Sequence, residues 1–200
     1  FGPAASALWG VCTTVTSNGS VNSMHDSMMP VSGIAQLFDM MINAFYGGVG
    51  VGYLNFYIFI IIAVFISGLM VGRTPEFFGR KIEAREMKIA SLIALLHPFL
   101  ILVFTAIASY LLTHYPNINW AEKPSAWLNN PSFHGFSEML YQFTSCSANN
   151  RSGYEGLADN SIFWNAAGGI VMFIARFMPI IGPVAIAGIL ANKKYIPESA

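Results

Sequence analysis

The chain is short of charge. Only 10% of its 200 residues are Asp, Glu, Lys or Arg, against about 25% in an ordinary soluble domain. That is too little charge to coat a water-soluble globule. The ten basic and ten acidic residues cancel, so no excess of either sign marks a nucleic-acid partner or an acidic tail. Cysteine is scarce as well. Cys12 and Cys146 fall at what read as equivalent places in two polar runs, as small loop residues rather than a disulfide or a metal site. No signal peptide is visible, because the chain opens Phe1-Gly2-Pro3 with neither an initiator Met nor a charged segment. It reads as an internal piece of a longer protein, ending just after an apolar span as a break in a cytoplasmic loop would.

What is present in quantity is apolar: 54% of the residues are hydrophobic. Tyr53 to Val71 carries no charge and has the length of one membrane crossing. Val31 to Tyr46 is also helix-like, but a straight helix from Val31 to Val71 would run about 60 Å, twice the ~30 Å hydrocarbon core. The segment must therefore break, and Gly47-Gly48-Val49-Gly50-Val51-Gly52 is where. Ile89 to Thr113 makes a second span, kinked at His97-Pro98. Ile162 to Leu190 makes a third.

The loops orient these spans. Gly72 to Lys88 holds five of the ten basic residues, Arg73, Arg80, Lys81, Arg85 and Lys88, and so belongs to the cytoplasmic side. Lys193-Lys194 after the third span falls on the same side, since one crossing out and one back separate the two. The connection from His114 to Phe133, charged only at Glu122 and Lys123, belongs outside, where Trp120 and Trp127 suit an interfacial belt.

Two short polar runs, Thr14 to Ser20 and Ser145 to Gly153, interrupt this pattern, each followed by a long apolar helix. Aligned, they put Asn18 on Asn150, Gly19 on Arg151 and Ser20 on Ser152. The amphipathic stretch from His134 to Thr144, too short to cross a bilayer, leads straight into the second. Non-helical backbone at membrane depth survives only where protein buries it or water lines it, and rings of carbonyl oxygens are a recurrent way to bind K⁺. The pair reads as two copies of one pore loop, half of a cation path, with carbonyls and Thr or Ser hydroxyls as ligands; exposed loops between helices are the plainer alternative. Two copies cannot encircle a path that needs four sides, so further copies are expected upstream. His25 and Asp26 follow the first run and either shape its mouth or cap the next helix. Nothing in the spacing gathers His25, His97, His114 and His134 around a metal. Arg176, alone in an apolar span, needs a partner or water, and Asp39 is one candidate.

Six strings carry a family resemblance: Met24-His25-Asp26-Ser27, the glycines Gly47 to Gly52, Gly68-Leu69-Met70-Val71-Gly72-Arg73-Thr74-Pro75-Glu76, Ala84-Arg85-Glu86-Met87-Lys88, His134-Gly135-Phe136-Ser137-Glu138 and Asn160-Ser161-Ile162-Phe163-Trp164-Asn165. Together they resemble the C-terminal part of the potassium-binding A subunits of the Kdp P-type ATPases, within the superfamily of K⁺ transporters. The resemblance implies an all-α integral membrane protein of the bacterial inner membrane, holding two of four membrane-pore-membrane repeats with re-entrant pore loops and a broken inner helix. Residues 1–72 would be the third-repeat pore loop and broken helix, 73–88 a cytoplasmic loop, 89–194 the fourth repeat, and 195–200 a cytoplasmic tail.

It further implies a K⁺ filter at Thr14, Val15, Thr16, Ser17, Asn18 and Gly19 and at Ser147, Ala148, Asn149, Asn150, Arg151 and Ser152, with a gate of Gly47, Gly48, Gly50, Gly52 and Arg176. K⁺ would be the only metal, with no organic cofactor. ATP would be hydrolysed on a separate P-type subunit, with small accessory subunits and membrane lipid as the other partners and no nucleic acid. In keeping with a non-catalytic chain, there is no Walker-type loop and no Asp-Lys-Thr-Gly string. Arg151 departs from the family's glycine: either the register is off by one, or Glu155 draws the side chain outward, or the charge obstructs K⁺. An ATP-independent K⁺ or Na⁺ transporter of the same superfamily and a non-transport assembly subunit are the alternative readings.

Overall fold

A computed structural model describes residues 1–44, 46–48, 50–118, 123–130 and 132–195. Six helices follow in order: α1 (Pro3–Val15), α2 (Pro30–Ile42), α3 (Val51–Val71), α4 (Ala84–His114), α5 (Phe133–Ser147) and α6 (Ile162–Ala191). Proline at the first turn starts α1 and α2, where its missing N–H costs nothing. The Glu83 and Glu86 side chains form a capping box that starts α4. Ser161 caps α6 by accepting from Trp164 N–H. Gly72, in the left-handed region, ends α3.

Three helices, α3, α4 and α6, are long and apolar enough to cross a membrane, matching the three spans read from the sequence. Leu92, Leu95, Phe99 and Leu102 stand more than half exposed along α4, a stripe that suits lipid and would be a liability in water. α4 runs on through Pro98, and α6 through Pro179 and Pro183. α1 and α5, of 13 and 15 residues, are too short to cross. α1 was not anticipated as a helix at all.

The expected break between the first two apolar segments is real, with one correction of position. α2 stops at Ile42, where Asn43 enters the left-handed region, and α3 begins at Val51, so Gly52 belongs to a helix and not to the break. Phe45 and Val49 lie outside the described residues.

Packing gathers α4, α5 and α6 around Leu100, Trp127, Phe143, Trp164 and Val171. α3 joins α4 and α6 through Ile58, Ile61, Ile93 and Ile186. Trp127 is fully buried, stacked on Phe163 and edge-on to Trp164. It is therefore a core residue and not part of an interfacial belt, while Trp120 and Glu122 lie outside the described residues.

The basic loop folds into a hairpin, Glu76–Phe77 paired with Arg80–Lys81. Phe78 and Gly79 both have positive φ, as a two-residue turn of this hand requires. Arg80 donates to Leu190 O, and Lys193 Nζ lies 2.9 Å from Glu86 Oε2. The loop and the end of α6 thus sit on one side, as the charge pattern implied.

Candidate functional site

The two polar runs share one backbone. In the first, Asn18 and Gly19 N–H both donate to Thr13 O, and Ser17 N–H to Thr14 O. In the second, Asn150 and Arg151 N–H donate to Ser145 O, and Asn149 N–H to Cys146 O. Ser17 and Asn149 are both left-handed, at φ 56° and 60°, and Gly19 and Arg151 both have positive φ, 83° and 50°. The asparagines match too. Asn18 Oδ1 accepts from Ser20 N–H, and Asn150 Oδ1 from Ser152 N–H at 2.9 Å and from the Ser145 hydroxyl at 2.6 Å. The register set by Asn18 and Asn150 therefore holds, but it leaves Cys12 and Cys146 at non-equivalent places, Cys12 exposed and Cys146 buried. Thr14 and Val15 lie in α1, and Ser147 ends α5.

The turns also touch. The Ser17 hydroxyl donates to Ala148 O at 2.8 Å, and Asn150 Nδ2 to Thr14 O at 3.3 Å. A Cβ on Gly19 would collide with Asn150 O, so only glycine permits this approach. The Thr14 and Thr16 hydroxyls donate to Gly10 O and Cys12 O of their own helix, which leaves their oxygen lone pairs unused by those bonds. The carbonyls of Ser17, Asn18 and Gly19 and of Asn149, Asn150 and Arg151 accept no hydrogen bond from the described residues. Of these residues only Asn150 is buried, and its carbonyl packs against Gly19; the others are half-buried or exposed, where an unpartnered carbonyl can meet water or a ligand.

The broken helix meets the first turn. Gly48 N–H donates to Thr16 O, and a Cβ on Gly47 would stand 3.3 Å from Ser17 Oγ. Arg176 reaches the same loop: a Cβ on Gly48 would lie 2.5 Å from its Nη1. The expected pairing of Arg176 with the glycine break is thus a contact, whereas Asp39 makes no ion pair with it among the described residues. Gly50, at φ 85°, completes the turn into α3.

His97 was expected only to mark a kink. Instead its ring spans two elements, with Nδ1 2.7 Å from Ser147 Oγ and Nε2 2.9 Å from Met40 O. Beside it a cavity of about 240 Å³ is lined by Met41, Asn43, Asn55, His97, Ser147 and Pro179. The second turn is backed by Tyr141, whose hydroxyl lies 3.0 Å from both Ser152 Oγ and His25 Nδ1. Burial holds His25 below the ordinary imidazole range, against the opposing pull of Glu155. The sequence signal for this network was weak: Tyr141 and Gln142 in a short helix, and Gln36 in an apolar one.

Two expectations are corrected here. Asp26 does not cap α2, whose start has no side-chain cap; its carboxylate meets His134 and Asn130. Arg151 is drawn aside by Asp159, at 3.5 Å, and by Asn165 Oδ1, at 3.4 Å. Glu155 instead accepts from Asp26 N–H.

All 200 residues match the family model described as potassium-transporting ATPase A subunit. Proteins named potassium-transporting ATPase potassium-binding subunit are similar throughout: one from Flavobacterium psychrophilum at 67% identity over 202 residues, one from Parabacteroides distasonis at 65% over 200, and one from Clostridium acetobutylicum at 48% over 199. Each alignment covers all of this chain but 35%, 35% and 34% of the relative, so the chain spans about a third of their length.

Proposed function

The chain belongs to the potassium-transporting ATPase A subunit family, and on that premise we propose that it forms part of the K⁺-translocating subunit of an ATP-driven uptake complex in a bacterial inner membrane. The turns Thr16 to Gly19 and Ala148 to Ser152 supply two of four sides of a selectivity filter, each presented by a short re-entrant helix. Their carbonyls take the place of water around K⁺. The loop from Asn43 to Gly50 and Arg176 form the gate, and the hairpin loop with Lys193-Lys194 faces the cytoplasm. ATP is hydrolysed by a partner subunit.

The observation that carries this reading is the matched backbone of two turns that abut one another, with carbonyls that accept no hydrogen bond from the described residues. Asn150 is the test, since its side chain ties Ser145, Ser152 and Thr14 together. In the full-length protein within its membrane complex, Asn150→Ala should weaken apparent K⁺ affinity at least about tenfold, roughly the worth of one lost buried hydrogen bond to a shaped site. Rb⁺ uptake and K⁺-stimulated ATP turnover read the effect, and unchanged values with normal membrane insertion refute the filter assignment. Arg176→Ala should alter flux or its coupling to ATP turnover while insertion is intact, because it removes a charge from an apolar span.

A further inference from the structure

Away from the paired turns, at the end of the bundle reached by the C-terminus of α4, three ligand-bearing side chains converge. Asp26 lies in the turn after the first polar run, and His134 and Glu138 lie one helical turn apart at the start of α5. One ligand atom from each falls within 4.8 Å of the others. The Asp26 side chain is only 5% exposed, and Glu138 is fully buried.

The chemistry of the cluster is unbalanced. Asn130 Nδ2 holds both carboxylates, reaching Glu138 Oε1 at 3.0 Å and Asp26 Oδ2 at 3.3 Å. His134 Nε2 lies 2.5 Å from Asp26 Oδ1. Glu138 Oε2, however, is buried with no hydrogen-bond partner among the described residues. No Lys or Arg pairs with Asp26, Glu138 or Glu155 among the described residues. A buried carboxylate oxygen without a partner, in a group that holds a second carboxylate, asks for a cation. Gly156 lies against the group; a Cβ there would collide with Asp26 Oδ2 and stand 2.7 Å from Glu138 Oε1, so only glycine lets the chain pass this close to the two carboxylates.

We propose that Asp26, His134 and Glu138 form a binding site for one divalent transition-metal ion of the Zn²⁺ class, with Asn130 orienting both carboxylates from outside. One imidazole and two carboxylates make a borderline donor set that suits Zn²⁺ or Mn²⁺ better than the all-oxygen shell of Mg²⁺ or Ca²⁺. The ion pins the start of α5 to the turn that follows the first polar run, bracing both turns from one point. None of its ligands belongs to the two turns, so metal binding here stands or falls apart from the filter assignment.

The test uses the full-length protein in its complex, untagged, stripped with chelator and dialysed. Equilibrium dialysis with radioactive Zn²⁺ should find about one ion per A subunit beyond what His134→Gln retains. Glu138→Gln should weaken binding at least about tenfold, and Asn130→Ala should weaken it by a similar factor, as partners behind a ligand do. His114→Gln, at an exposed histidine on another helix, should leave it unchanged. Co²⁺ in place of Zn²⁺ should give a visible ligand-field absorption that His134→Gln removes. His134 is half exposed, so this variant keeps its fold, and a thermal melt confirms it. Equal Zn²⁺ binding by wild type and His134→Gln overturns the proposal; so does Mg²⁺ or Ca²⁺ binding in place of Zn²⁺, or a wild type that binds protons alone.

Discussion

Arg151 tests whether geometry or bare charge governs the second turn. An unpaired guanidinium about 4 Å from a bound cation, at an effective dielectric near 20, would repel it by roughly 4 kcal/mol, on the order of a thousandfold in affinity. The structure argues for far less. Nη2 lies 3.5 Å from Asp159 Oδ2 and 3.4 Å from Asn165 Oδ1, so the charge is answered and its field at the turn is that of a dipole. Arg151→Gly should then change apparent K⁺ affinity by less than about threefold, because partly exposed pairs are screened. Its stability should hold or rise: glycine relieves about 1 kcal/mol of strain at φ 50°, and the lost pair, exposed on both sides, offsets at most about that much. Asp159→Asn should do what Arg151→Gly does not, weakening K⁺ affinity by leaving the guanidinium unanswered, and the double variant should recover. The assay is Rb⁺ uptake against competing K⁺ in the full-length complex. A tenfold tightening from Arg151→Gly alone, or no effect of Asp159→Asn, would refute the reasoning and put the side chain on the ion's route.

Three further outcomes follow from the packing. Gly19→Ala forces a Cβ into Asn150 O at positive φ; it should cost at least about 2 kcal/mol and abolish K⁺ binding, as thermal unfolding and Rb⁺ uptake would register. Lys193→Ala strips the fully buried Glu86 of its cation and should destabilise by about 1–3 kcal/mol, with Lys193→Arg sparing most of it; a melt unchanged by Lys193→Ala contradicts this. Burial, abetted by Asp26 and opposed by Asn130 and His134, holds the Glu138 carboxyl above its usual range. A raised carboxyl binds its proton more tightly folded than unfolded, so its contribution is whole below the unfolded pKa and is lost as pH climbs through the folded one. In chelator, Glu138→Gln should therefore be more stable than wild type at neutral pH, with the gap closing on acidification; a gap that grows in acid contradicts the sign.

The spans were legible because apolar runs of about twenty residues have few other uses, and the break was legible because an unbroken helix would have been too long for the bilayer. The likeness of the two turns was legible from the alignment of Asn18 with Asn150 and of Ser20 with Ser152, since each asparagine folds its own turn by local hydrogen bonds. What stayed hidden is tertiary. Asp159 rather than Glu155 holds Arg151 because the start of α6 brings it there. Asp26 and His134 are 108 positions apart, and His97 answers Ser147 and Met40, 50 and 57 positions away. No spacing rule reaches so far. α1 escaped notice for a different reason: its small and polar residues carry little periodicity, and its partner is α2.

The break in the long apolar segment and the arginine in the last span meet at one glycine. A helix that ends inside a bilayer leaves carbonyls without partners. Those around the end of α2 are met by side chains that would otherwise be out of place in apolar helices: Met40 O by His97 and Asn43 O by Asn55. The loop beyond is held from the other side, where Gly48 N–H meets Thr16 O. Arg176 enters at that same glycine. A side chain at position 48 would displace the guanidinium. Gly48 is therefore needed less for flexibility than for room beside the guanidinium.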